Sequence, residues 1–295
     1  MLDVTKPARI IPQMARLRHN PGMADKPDNE LPIGVFDSGV GGLTVLKAIR
    51  EALPGEHLVY LGDTARLPYG TKSPASIERY ATQAAAKLQE QGIKLLVVAC
   101  NTASAVALEA LRSQLAPLPV IGVVEPGAAA AVAARPGGRH LVLATEATVR
   151  LGAYRDAIRS RDPAARVAEQ ACEMLVALAE EGWNDGGIAR AIVRRYLDEA
   201  GVSEPDTIIL GCTHFPLLRD TIRDVAADAV VLVDSASTTA ETVSQTLNAA
   251  GARRPAAAPG TLRLLATDGA SRFARVGGRF LGEALGRADV EVVDL

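Results

Sequence analysis

Two stretches decide how this chain is read: "LLVVACNTAS" at residues 95–104 and "TIILGCTHFP" at residues 207–216. In each, a β-branched and leucine-rich run, long enough for one buried strand, stops at a small residue and a cysteine. Polar residues and then a helical pattern follow. One cysteine at the end of an apolar run is ordinary, because free cysteine is among the most buried residue types. Two in matched contexts, Cys100 and Cys212, predict a repeated structural unit.

The alternation extends outward from these stretches. "PIGVFD" (32–37) reads as a buried strand and "GLTVLKAIREAL" (42–53) as a helix. "HLVYLGD" (57–63), the loop "TARLPYGTKSP" (64–74) and the helix "ASIERYATQAAAKLQEQG" (75–92) form the next unit. "KLLVVAC" leads into the helix "SAVALEALRSQL" (104–115), and "VIGVV" (120–124) closes the first half. The pattern restarts with "HLVLAT" (140–145), the helices "TVRLGAYRDAIRS", "MLVALAEEG" and "GIARAIVRRYLDEAG", the strand "TIILGC" and the helical "LLRDTIRDVA". The halves look duplicated: "FDSG" answers "ATEAT", and "ACNT" answers "GCTH". Short buried strands alternating with helices predict an α/β fold of two pseudo-symmetric α/β domains. Each has a parallel central sheet, ligands bind beyond the carboxyl ends of the strands, and the active site lies in the cleft between domains.

The returning segments "VVLVDS" (230–235), "LRLLATD" (262–268) and "VEVVDL" (290–295) are expected to complete the first sheet beside its late strands. The predicted division is therefore an extension over 1–32, a first domain of 33–124 plus 235–295, and a second of 125–234.

Composition narrows the function. With 295 residues, 48% apolar and 22% charged, the chain can bury a large core. Its 32 basic and 34 acidic residues are interspersed, so no basic field exists for nucleic acid or an anionic membrane. "GAAAAVAA" (127–134) is too short to cross a bilayer and no hydrophobic leader opens the sequence, which predicts a cytoplasmic protein. Three widely spaced cysteines without a C-x-x-C pair fit free thiols better than disulfides or a zinc knuckle. Cys172, in "ACEMLVAL", lacks the strand-end context and reads as structural.

A thiol at a helix N-terminus is expected to have its pKa drawn toward neutrality by unpaired N–H groups and the helix dipole. If the halves face each other, one thiol meets a substrate from each side. One thiolate then removes a proton from a carbon and the opposite thiol delivers another, which inverts a stereocentre with no redox step. Asn101, Thr102 and Thr213 are candidates for holding a carboxylate and an amino group, and Asp37 and His214 for assisting one thiol each. Two other readings stay open on the residues alone. Either cysteine with His214 makes a nucleophile and base for a hydrolase or acyl transferase, and a noncatalytic amino-acid-binding module would use the same polar groups. "DSGVGG" (37–42) lacks the full dinucleotide spacing and reads as a tight turn or a phosphate cradle whose informative members are Asp37 and Ser38. Pyridoxal phosphate is disfavoured: the only lysines are Lys6, Lys26, Lys47, Lys72, Lys87 and Lys94, none in a phosphate-binding context.

"IGVFDSGVGGL", "YLGDTARLPYGTKS", "VVACNTASA", "TEATVRLGAY" and "IILGCTHFPLL", in this order, resemble the glutamate racemase family from residue 33 to the C-terminus. The resemblance implies an isomerase, a racemase that works without a cofactor or metal, interconverts L- and D-glutamate and supplies D-glutamate for peptidoglycan. Its paired catalytic cysteines fall on Cys100, acting on the D enantiomer, and Cys212, acting on the L enantiomer. Its assisting residues fall on Asp37 and His214, and its substrate contacts on Asp37, Ser38, Tyr69, Gly70, Asn101, Thr102, Thr213 and His214. Thr145, Thr148 and, more distantly, Glu180 match positions near the substrate. Dimers are usual in the family, which implies a homodimer. The lead over residues 1–32 lies outside the family core, and Met23 offers an alternative start. Some members with such extensions are activated by UDP-MurNAc-L-alanine, and Arg9, Arg16 and Arg18 are the candidate partners for that anionic nucleotide.

Overall fold

The computed structural model describes residues 28–202 and 204–295; the extension's Arg9, Arg16, Arg18 and Met23 lie outside the described residues. The described residues build two parallel sheets. The first has the order β10-β9-β2-β1-β3-β4, from β1 (Ile33–Asp37), β2 (Leu58–Gly62), β3 (Leu95–Val98), β4 (Val120–Gly122), β9 (Leu262–Ala266) and β10 (Val290–Val292). The second has the order β6-β5-β7-β8, from β5 (Arg139–Ala144), β6 (Arg166–Ala171), β7 (Thr207–Gly211) and β8 (Val231–Asp234). Every pairing is parallel, and β1, β2, β3, β4 and β7 are buried along their whole length, as expected for strands covered on both faces.

The duplication is visible in the strand order. Counting strands within each half, β2-β1-β3-β4 and β6-β5-β7-β8 are the same 2-1-3-4 arrangement. In both, the chain leaves the first strand in one direction and returns to the third from the other, so the loops after those strands diverge and open a crevice at their carboxyl ends. Asp37 ends β1 and Cys100 stands two residues beyond β3; Thr145 and Cys212 directly follow β5 and β7.

Helices cover the faces: α1 (Leu43–Ala52), α2 (Pro74–Glu90), α3 (Asn101–Leu115), α4 (Val124–Ala134), α5 (Glu146–Leu151), α6 (Ala153–Arg161), α7 (Glu173–Glu181), α8 (Gly186–Glu199), α9 (Arg219–Val225), α10 (Ser235–Ala249) and α11 (Ala270–Leu281). α2 starts where Ser73 accepts a hydrogen bond from the Ser76 N–H, with Pro74 in the first turn, where its missing N–H costs nothing. α10 starts where Asp234 accepts from the N–H groups of Ala236 and Ser237 at 2.8 and 3.1 Å. Among the described residues no helix is long and apolar enough to cross a membrane.

Three expectations need correction. None of the returning strands joins the late strands β3 and β4: β8 pairs with β7 in the second sheet, and β9 pairs with β2, extending the opposite edge with β10. β6 is a strand that the apolar pattern misses, because this edge strand, "RVAEQA", is only partly buried and carries Arg166, Glu169 and Gln170. Cys172 does stand at a strand end before a helix, directly after β6 and before α7, but it is fully buried. Its thiol donates to the Gln170 carbonyl at 3.4 Å, and burial pushes it up.

Candidate active site

The last residue of β1 is the first titratable group of the site. Asp37 is buried; its Oδ2 accepts from the Gly39 N–H at 2.9 Å, and its Oδ1 has no hydrogen-bond partner. Burial raises its pKa, opposed by the charge of His214 and by main-chain N–H groups. Gly41 and Gly42 of "DSGVGG" serve close approach, in a turn from β1 to α1 that needs no positive φ. A Cβ on Gly42 would lie 2.5 Å from the Cβ of Asp37, and one on Gly41 would collide with Thr213 Oγ1 and His214 Nδ1. The β1 loop is thereby pressed onto the loop after β7. Thr44 Oγ1 fastens it, donating to the Thr213 carbonyl at 2.9 Å.

Cys100 caps the N-terminus of α3. Its Sγ accepts from the Ala103 N–H at 3.4 Å and contacts Ser38 Oγ at 3.6 Å. A helix terminus alone draws a thiol toward neutrality, but the pKa of Cys100 is pushed up to about 12. Burial is the largest cause and the nearby charge of Asp37 the next; the Ala103 N–H and Ser38 pull the other way and lose. A site without bulk water penalises a thiolate more than one capping N–H favours it.

Cys212 follows β7 and precedes a short 3₁₀ turn (Phe215–Leu218). Its Sγ stands 3.8 Å from His214 Nδ1, while His214 Nε2 lies 3.2 Å from Glu180 Oε1. Burial disfavours the charged imidazole, yet its bonds to Cys212 and Glu180, with the charges of Cys212 and Asp37, raise its pKa to about 10. Glu180 moves the other way: the bond from His214 holds its carboxyl below the usual range against burial, and Arg272 adds to this. The result is a relay of thiol, imidazolium and carboxylate behind one cysteine.

Beside the cysteines stand the groups that could hold a substrate. Asn101 Oδ1 accepts from the Tyr154 hydroxyl at 2.7 Å, a link from α6 to α3 across the two sheets. Its Nδ2 is buried without a partner. The hydroxyls of Thr102, Thr145 and Thr148 form a triangle with edges of 3.0, 3.1 and 3.3 Å. Thr213 is buried beside Cys212. Gly70 packs closely on Thr145, so a side chain there would press on the triangle. Tyr69 is brought to the same region, but its hydroxyl donates to Asp63 Oδ2 at 2.5 Å, and burial followed by the Asp63 charge raises its pKa. Asp63 also accepts from Arg66 Nε at 2.7 Å and Thr267 Oγ1 at 3.0 Å, which makes it the anchor of the loop bearing Tyr69 and Gly70.

An unpartnered buried donor, Asn101 Nδ2, and an unpartnered buried acceptor, Asp37 Oδ1, are costly unless a ligand satisfies them. A carboxylate for the donor and an ammonium for the acceptor describe an amino-acid zwitterion. Asp63, Tyr154 and Arg272 were missed in the sequence, and Glu180 was only weakly matched. Asp63 carried a signal, an acid directly after the run "HLVYLG".

The family model for Asp/Glu/Hydantoin racemase matches residues 33–243. The glutamate racemase of Geobacter metallireducens is 51% identical over 266 residues, covering 89% of this chain and 96% of its own. The solved structure of glutamate racemase from Francisella tularensis subsp. tularensis SCHU S4 in complex with D-glutamate is similar at a TM-score of 0.82 and 34% identity, covering 90% of this chain and 98% of its own. That of the Escherichia coli glutamate racemase in complex with L-glutamate and the activator UDP-MurNAc-ala is similar at a TM-score of 0.69 and 32% identity, covering 87% and 98%. Matches of this extent, on a chain whose two sheets each end in a cysteine at the same strand, mean that it belongs to the Asp/Glu/Hydantoin racemase family, among the glutamate racemases, and is an isomerase.

Proposed function

We propose that the chain interconverts L- and D-glutamate by a two-base transfer at Cα, with Cys100 and Cys212 as the bases and no cofactor. The observation that carries this reading is the placement of the two thiols at equivalent strand ends of two sheets with the same strand order. The Cys212 thiolate takes the Cα proton of L-glutamate, breaking C–H and forming S–H; the Cys100 thiol then protonates the opposite face and becomes the thiolate. The D-to-L direction runs in reverse. Asp37 beside Cys100 and His214 beside Cys212 are the groups through which each thiol regains or loses its proton. Asn101, Thr102, Thr148, Thr213, Ser38, Tyr69 and Gly70 shape the substrate pocket. A cysteine hydrolase has no use for the second thiol. Incubation with either enantiomer in heavy water is expected to give inversion with deuterium at Cα and no added cofactor. Absence of inversion from both enantiomers would sink the reading.

The same reading predicts a bell-shaped dependence of kcat/KM on pH, with apparent values that belong to the coupled set. The acid limb lies above the ordinary carboxylate range, because burial raises Asp37. The alkaline limb lies near pH 10, where His214 gives up its proton beside Cys212. The raised His214 value also means that its contribution to stability is full below the unfolded value of 6.5 and is lost as pH rises through about 10. Circular dichroism is therefore recorded beside the rate. A rate that keeps climbing through that pH with the fold intact counts against the arrangement.

Cytoplasmic location, homodimeric assembly, supply of D-glutamate to peptidoglycan, and the division into 33–124 plus 235–295 and 125–234 belong to this proposal. Activation by UDP-MurNAc-L-alanine also belongs to it; comparing the full chain with one begun at Met23, with and without that precursor, tests it.

A further inference from the structure

Helix α11 belongs to the first sheet by chain order and packing: it follows β9, lies on α1 and leads to β10. Yet three of its side chains end on the groups behind Cys212, which the second sheet carries. Arg272 Nη2 donates to Glu180 Oε2 at 2.7 Å, and Arg279 Nη1 donates to the Glu180 main-chain carbonyl at 2.6 Å. Phe280 meets the His214 ring edge-on, with centroids 5.0 Å apart. Glu180 is thus held at both carboxylate oxygens, one by the Arg272 guanidinium and the other by the imidazole. Glutamate has three side-chain torsions, and this side chain is 21% exposed, so without the guanidinium only the imidazole keeps its carboxylate from turning toward water. The polar partners of the Cys100 sulfur, Ser38 Oγ and the Ala103 N–H, come from the first sheet's own loop and helix.

We propose that Arg272 is a positioning residue for the Cys212 half-reaction, acting through Glu180 and His214, so that α11 sets proton transfer at one face of the substrate only. This rests on the two-thiol reading above. The Arg272 side chain is 60% exposed, so its replacement leaves the core untouched.

Rates alone cannot reveal a one-sided effect. The two enantiomers are equal in free energy in water, so kcat/KM in the two directions falls by the same factor whichever step is slowed. Isotope effects separate the faces. When the Cys212 step slows, Cα-deuterated L-glutamate loses its deuteron in the slowed step, and its primary isotope effect on kcat/KM rises. Cα-deuterated D-glutamate loses its deuteron to Cys100 in a step that becomes reversible before the slow one, so its isotope effect shrinks toward the equilibrium value.

Arg272→Met is expected to lower kcat/KM about fivefold in both directions, the scale of losing one partly exposed ion pair, and to drive the two isotope effects apart in this sense. Arg272→Lys, which keeps the charge, is expected to bring both back toward the parent. A fall in rate with both isotope effects unchanged reports only less active enzyme and overturns the proposal, as does an unchanged rate. Cys212→Ala, measured alongside, keeps the two questions apart. If it racemises like the parent, the two-thiol reading falls; if it is inactive while Arg272→Met leaves the isotope effects together, only the role of Arg272 falls.

Discussion

Cys212→Ala is expected to stop racemisation while leaving a trace of one-sided chemistry. With alanine at 212, Cys100 still faces the Cα proton of D-glutamate, but no acid waits on the other side. Turnover falls by about a hundredfold to ten-thousandfold, the usual worth of a positioned acid or base. D-glutamate in heavy water is expected to take up deuterium slowly at Cα while no L-glutamate forms. Cys100→Ala gives the mirror result, with L-glutamate exchanging at Cys212. The two traces should differ in speed. Cys212 keeps an imidazolium at 3.8 Å to exchange its proton with, whereas burial pushes the Cys100 thiol up to about 12, so that it is ionised only at the expense of burial. Exchange of L-glutamate by Cys100→Ala is therefore the faster of the two. Interconversion by either variant at close to the parental rate would show the cysteines to be structural.

The parts of this site that could be read in the sequence are those that lie within a few residues of a strand end. Asp37, Cys100, Asn101, Thr102, Cys212, Thr213 and His214 all directly follow a run such as "IGVF" or "IILG", whose burial on both faces makes it apolar throughout. The residues that the fold brings from elsewhere left little trace. Glu180 reaches His214 across 34 positions, Tyr154 reaches Asn101 across 53, and Arg272 reaches Glu180 across 92. Each sits on a helix where its residue type is unremarkable, and only the meeting of the two sheets gives it a partner. The missed elements follow the same logic. β6 is a half-covered edge strand, so its faces did not need to be apolar. α4, "VEPGAAAAVAA", is so rich in alanine that it has almost no polar face to give a period, and its proline is tolerated only because it falls in the first turn.

Lys94 shows the same limit at the opposite edge of the molecule, where the expected effect is on stability. In the sequence it is a lysine ahead of a strand, a position usually solvated. In the structure both it and Glu56 are buried, with Lys94 Nζ 2.5 Å from Glu56 Oε2. The ammonium also donates to the Asn29 and Ala252 carbonyls, each at 2.9 Å, and Glu56 Oε1 accepts from the Arg254 N–H at 2.7 Å. Burial lowers the Lys94 pKa, and the bond to Glu56 opposes it. These bonds join the first described residues, the start of β3 and the loop before β9 at the amino ends of the strands, away from the cysteines. Lys94→Met keeps much of the side-chain volume but strands a carboxylate in a dry site, which costs about 3–5 kcal/mol when a buried pair is broken on one side. The urea midpoint is expected to fall accordingly, while kcat per folded molecule stays at the parental value because no group of the site is touched. Lys94→Met with Glu56→Met removes both charges and is expected to regain most of the loss. The recovery stays incomplete, since the Asn29 and Ala252 carbonyls and the Arg254 N–H lose their partners. A double variant no more stable than Lys94→Met would mean that these hydrogen bonds, and not the stranded charge, hold this edge together.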